Sequence, residues 1–199
     1  MTLRNITCAV TLCLLTLSGQ AVGKTEVPPY KNKSLSIEKR VDDLMGRMTL
    51  REKVLQLQNR GAGRLDEIDR IFNGESFGCT HEMGTTAAEC ATMYKELQQY
   101  MLTKTRLGIP IITSAEGIQG ILQNNCTLFP HALAQGSTFN PALIQRMTEA
   151  AGEEAKVIGI HQILSPVLDI ARELRWGRVE ETFGEDPYLC LLYTSPSPR

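Results

Sequence analysis

The chain lacks an excess of charge of either sign. Its 199 residues carry 21 Lys and Arg against 22 Asp and Glu, a formal net charge of -1. The basic face that nucleic acid selects is therefore not expected, and no nucleic-acid partner is predicted. Long apolar runs are missing too, apart from residues 6–17 (ITCAVTLCLLTL) near the N-terminus. That run is too short to span a bilayer as a helix, so no membrane partner is predicted. CxxC pairs and an HExxH helix are also absent, which leaves a zinc centre without support from spacing. Aromatic residues make up only 6%, and Trp176 is the single tryptophan. What remains, 42% hydrophobic and 22% charged, is the balance of a soluble globular chain rather than a disordered one.

The two ends read differently from the middle. Arg4, the apolar stretch 6–17, and the small residues Ala21 and Gly23 form a signal-peptide pattern over residues 1–23. It predicts a secreted product, extracellular or periplasmic, with a mature start near Lys24; an uncleaved interfacial anchor is the alternative. Removing the signal, and setting aside Cys190 in the tail, leaves Cys79, Cys90 and Cys126. That odd number allows one disulfide and one free thiol without choosing the pair. Sequons stand at Asn32-Lys33-Ser34 and Asn125-Cys126-Thr127. Near the other end, Asp186-Pro187 opens a helix that the run from Cys190 to Arg199, with its two prolines, does not continue. Residues 190–199 read as a non-native, adaptor-like tail.

Between the ends, residues 24–35 form a polar, proline-bearing linker. From Ser36, the spacing of Ile37, Val41, Leu44, Met45 and Met48 predicts a helix. Thr49 with Glu52 is a capping box, opening a second helix with Val54, Leu55 and Leu57 inward and Gly61 as its stop. Residues 64–84 read as loop. Thr86 with Glu89 is another capping box, starting a long helix with Cys90, Tyr94, Leu97 and Met101 on one face and Gly108 at its end. Residues 109–113 and 160–168 have the composition of buried strands. Between them Asn140-Pro141 starts a helix carrying Leu143, Ile144, Met147, Ala151 and Ile158, closed by Gly159.

Helix and strand alternating in this way predict an α/β fold with a parallel sheet, whose loops after the strands form the active face. Two such loops stand out, Ser114–Asn125 and Asp169–Asp186. The second gathers Arg172, Arg175 and Arg178 with Glu173, Glu180, Glu181, Glu185 and Asp186 around Trp176. An aromatic face beside fixed donors suits a sugar or an anion, and a structural salt-bridge loop is the competing reading.

The run from Asp169 to Tyr188 (DIARELRWGRVEETFGEDPY) resembles the signature of glycoside hydrolase family 3. The family's usual form has Asp-Pro where this chain has Glu173-Leu174. Phe129-Pro130, the Asn140-Pro141 helix, Ser165-Pro166-Val167-Leu168, Met48–Lys53 and Arg106–Pro110 are similar to that family as well, in consistent order over residues 36–189. The resemblance implies a partial, truncated (β/α)8 TIM-like barrel, since a whole one takes about 250 residues. It also implies release of terminal β-linked glucose or xylose from an oligosaccharide or glycoside with retention, by two carboxylates about 5 Å apart and no cofactor. In the family, the nucleophilic aspartate, the acid/base and a sugar-binding Lys-His pair lie further on. The missing C-terminal part of its own chain is therefore the expected partner, and this chain alone is expected to be inactive.

The resemblance carries over one subsite. Glu116 matches an acidic residue that accepts from sugar hydroxyls, and Arg178 an arginine that donates to the same sugar. Ile118-Gln119-Gly120 stands where relatives have Leu-His-Gly, leaving the neighbouring contact open, and the length of Glu116 leans toward pentosides. Arg175 and Arg172 are alternative donors or loop braces, and Trp176 is a platform or loop packing. Asp169 reads as structural, His161 and Gln162 as core or second-layer groups, and His131 as part of the site floor. A non-catalytic secreted sugar-binding protein and a β-N-acetylhexosaminidase of the same family are the alternative functions.

Overall fold

The computed structural model describes residues 27–61, 63–81 and 85–194, leaving aside the side chain of Leu65. The signal-peptide reading of residues 1–23, the start of the linker and the last five residues lie outside this range. The chain divides into two compact units, through Gly46 and from Arg47 onward. In the first, a 3-10 turn at Pro29–Lys31 precedes helix α1 (Ile37–Arg47). The Tyr30 amide donates to Asp43 Oδ2 at 3.1 Å, and Arg40 Nε donates to the Tyr30 carbonyl at 3.0 Å. The predicted helix is present, but Ile37, Val41 and Met45 are exposed.

The second unit is built on three parallel strands in chain order, β1 (Cys79–Thr80), β2 (Ile112–Ala115) and β3 (Gln162–Ile163). Register pairs Cys79 with Ile112 and Thr80 with Thr113, then Ser114 with Gln162 and Ala115 with Ile163. Helices α2 (Leu50–Leu55) and α3 (Ile68–Phe72) precede β1, and α4 (Ala87–Lys104) connects β1 to β2. Helices α5 (Ala132–Gly136) and α6 (Pro141–Ile158) connect β2 to β3, and α7 (Pro187–Thr194) follows.

Local capping chemistry sets the helix starts. Thr49 and Thr86 each accept at the side chain from the amide three residues on, while Glu52 and Glu89 reach back to the cap. Asn140 accepts from the Leu143 amide with Pro141 at the first turn, and Gly159 at φ 94° closes α6 in the left-handed region. Cys90, Tyr94, Leu97 and Met101 of α4 are buried as the spacing predicts, in a core shared with Phe72, Phe77, Ile111 and Ile158. A smaller core joins Ala132, Ile144, Phe183 and Cys190.

Five expectations are corrected. Helix α2 ends at Leu55, so the helical period stops there, and Val54 and Leu57 face outward at 46% and 87% exposure. Residues 64–84 hold α3 and β1 rather than loop alone. Strand β2 starts at Ile112, two residues beyond Pro110, which has no N–H to give a ladder. Strand β3 is short: Leu164 still donates to the Ala115 carbonyl, but the chain then turns at the cis Ser165–Pro166 bond and exposes Leu168. Helix α7 runs through Cys190 to Thr194, because its only proline is at the first turn and the other two lie beyond it. The four cysteines of the described residues, Cys79, Cys90, Cys126 and Cys190, are free thiols. Among the described residues no helix is long and apolar enough to cross a membrane.

Candidate functional site

Parallel strands present all their C-terminal ends on one edge of the sheet, so the residues just past them meet without any further device. His81 follows β1, Glu116 follows β2, and the segment from Leu164 to Asp186 follows β3. The first two are in contact: His81 Nε2 lies 3.4 Å from Glu116 Oε1, with 35% and 45% of the side chains exposed. Behind them, the buried Ser114 hydroxyl donates to the Thr80 carbonyl at 2.9 Å and sits 3.2 Å from His81 Nδ1.

The backbone after Glu116 is tightly held. Gly117 has φ 68°, and a Cβ there would run into the Ile163 side chain. Its carbonyl accepts from Ser165 Oγ at 2.9 Å, which ties the loop after β2 to the start of the loop after β3.

In that third loop, Arg178 grips Glu181 through Nε at 2.9 Å and Nη2 at 2.6 Å, both to Oε2. Glu181 holds the guanidinium's pKa above its ordinary value, and the negative fields of Asp169 and Glu116 add to that. The reverse also holds: the Arg178 hydrogen bonds keep the Glu181 carboxyl below 4.5, with a contribution from nearby His131. Arg178 and Glu181 thus form one ion-pair cluster, which feels the fields of Asp169 and Glu116. A guanidinium has five N–H donors, so the Glu181 pair orients Arg178 without exhausting it.

Arg175 takes a different place. It forms a bidentate pair with Glu173 at 2.9 and 2.8 Å in a turn where both are exposed, 89% for the arginine side chain. Hydrogen bonds from Arg175 hold the Glu173 carboxyl at about 2. Trp176 is half-buried, its amide bonded to the Glu173 carbonyl, and Arg172 is exposed. The structure therefore pairs Arg178 with Glu181 and holds Arg175 on its own turn with Glu173. His161 and Gln162 are exposed rather than core, although His161 Nδ1 stays 2.6 Å from Thr113 Oγ1.

His81 is the group that sequence reasoning missed. A two-residue strand has no period to announce it, and in a segment read as loop nothing marked His81 as standing at a strand end. Beside the cluster opens a cleft of about 800 Å³, lined among others by Gly117, Phe129, Ser165, Glu181, Phe183 and Tyr193. Carboxylates and apolar faces side by side in one cleft, Glu149 and Glu181 being among its lining, are suited to hydroxyl-rich ligands, which need preset acceptors beside apolar surface.

Residues 49–195 match the profile of the glycosyl hydrolase family 3 N-terminal domain. A putative beta-xylosidase of Formosa agariphila is 35% identical over 180 residues, covering 83% of this chain and 24% of that protein. The periplasmic beta-glucosidase/beta-xylosidase of Dickeya chrysanthemi is 31% identical over 186 residues, covering 81% of this chain and 28% of its own. Among solved structures, the beta-glucosidase of Listeria innocua in complex with glucose superposes with a TM-score of 0.64 at 28% identity, covering 79% of this chain and 23% of that one. The chain thus spans about a quarter of the length of the proteins it matches.

Proposed function

The chain belongs to glycosyl hydrolase family 3 through its N-terminal domain, and from that premise we propose that it is part of a secreted, retaining exo-β-glycosidase. The substrate is a terminal β-linked glucose or xylose on an oligosaccharide or glycoside. The three parallel strands are the opening strands of a (β/α)8 barrel, and the rest of the barrel comes from a longer parent chain. The apolar leader at residues 6–17 supports export.

What supports the reading is that Glu116 directly follows β2 and that Arg178, bound to Glu181, sits in the loop after β3, both beyond the C-terminal ends of parallel strands. Glu116 accepts from two neighbouring sugar hydroxyls, and Arg178, steadied by Glu181, donates to the same ring. Charge-assisted bonds of this kind give the orientation that a terminal sugar needs before the chemistry begins. Two further carboxylates about 5 Å apart then act as nucleophile and acid/base. They belong to the longer parent, and the present chain binds and orients without cleaving.

The test is hydrolysis of aryl β-glucoside and aryl β-xyloside by the full-length enzyme and by this chain. Turnover with retained configuration by the former, and none by the latter, is expected. Inversion, or no turnover of either glycoside by the full-length enzyme, refutes the reading.

A further inference from the structure

We propose that His81 is a positioning residue for Glu116, held in place by Ser114; the proposal rests on the reading of Glu116 as a sugar acceptor. Ser114 lies on β2 with 1% exposure. Its hydroxyl donates to the Thr80 carbonyl at 2.9 Å. A carbonyl only accepts, so the single hydroxyl proton is committed there, and the oxygen's lone pairs are what it offers elsewhere. His81 Nδ1, 3.2 Å from that oxygen, therefore carries a proton and donates it. Cys79 Sγ sits 3.4 Å from the same oxygen, on the other strand of the β1–β2 pair.

With Nδ1 turned to Ser114, the ring aims Nε2 at Glu116 Oε1, 3.4 Å away. In the imidazolium form, with a proton on each ring nitrogen, Nε2 donates to the Glu116 carboxylate while Nδ1 donates to Ser114. Oε1 is thereby turned toward His81 at the end of β1. This is the arrangement by which a carboxylate's neighbour fixes its rotamer, with an anchor in the sheet and no substrate contact of its own. Glu116 immediately precedes the left-handed Gly117, whose backbone is fixed against Ile163 and Ser165, so a brace on the side chain completes the hold on this corner.

The experiment uses the full-length enzyme with aryl β-glucoside and β-xyloside, comparing His81→Leu, His81→Gln and Ser114→Ala. In His81→Leu, KM is expected to rise about tenfold with kcat altered less than threefold, the loss of one bond to a charged group. His81→Gln, whose side-chain amide reaches the Nε2 position with a donor, recovers most of the KM at an unchanged thermal midpoint. Ser114→Ala, which frees the ring while keeping it present, falls between the two. A KM for His81→Leu within twofold of the parent overturns the proposal, as does a His81→Gln variant no better than His81→Leu. If the unsubstituted enzyme turns over neither glycoside, the glycosidase reading fails first and this proposal with it, a result read before any variant is made.

Discussion

Glu52→Gln separates two jobs that one carboxylate performs. Glu52 closes the capping box at Thr49, whose amide and hydroxyl donate to Oε2 at 2.8 and 2.9 Å. It also receives Arg106 from the end of α4, through Nε at 2.8 Å and Nη2 at 2.5 Å. Glutamine keeps an oxygen for the cap and loses the charge, so the substitution reads mainly the Arg106 pair, with a smaller part from the charge in the cap. Hydrogen bonds from Arg106 hold the Glu52 carboxyl at about 2 against an ordinary 4.5, with Thr49 adding to the pull and burial opposing it. That displacement corresponds to at most about 3.4 kcal/mol at 1.36 kcal/mol per pH unit. The Arg106 side chain is 55% exposed, and solvent screening lowers the expected contribution to about 1–2 kcal/mol. Because the folded-state value is depressed, this stability is present above about pH 4.5 and is lost as pH falls toward 2. Urea unfolding of the chain and of E52Q, followed by far-ultraviolet circular dichroism, should show the full gap at pH 7 and its closure by pH 2. Equal stabilities at pH 7, or a gap that ignores pH, would refute the reasoning.

Three further outcomes are expected. Gly117→Ala places a methyl against Ile163 at a backbone φ of 68°; it should cost about 1–3 kcal/mol in thermal unfolding and raise KM in the full-length enzyme, and a neutral result would mean that the turn is not held. Thr86→Ala removes the side-chain cap of α4, and a loss of about 1 kcal/mol is expected by urea titration, with no change in KM. Arg178→Met removes the guanidinium bound to Glu181 and should raise KM for aryl glycosides by at least tenfold, while Arg178→Lys, which keeps charge but not the planar fork, recovers little of it.

The legible parts of this fold are those fixed within a few residues. Each capping box is written in four consecutive positions, and Asn140, Pro141 and Gly159 mark α6 by the same local chemistry, so the sequence locates those helices directly. Strands of two or four residues have no such mark. Their extent depends on which neighbour pairs with them, and β1 became visible only through its register with Ile112 and Thr113. His81 was hidden for that reason. Arg178 and Glu116 were singled out by family resemblance, whereas the brace expected of Arg175 was to Glu180, Glu181 or Asp186, and the turn brings it instead to Glu173, two residues away. The Arg106–Glu52 contact joins positions far apart in the chain, and only folding brings them together.

The order of the strands has a kinetic consequence. Each strand pairs with the one made just before it, Cys79 with Ile112 and then Ser114 with Gln162. A nascent chain leaving the ribosome therefore never has to hold a strand open for a partner still many elements away, and the sheet can grow vectorially. Synthesis at roughly 5–20 residues per second leaves an interval of roughly 2–10 s between Ser114 and its partner Gln162, long enough for α6 to form and wait for β3. At each stage the last strand made is the front on which the sheet grows.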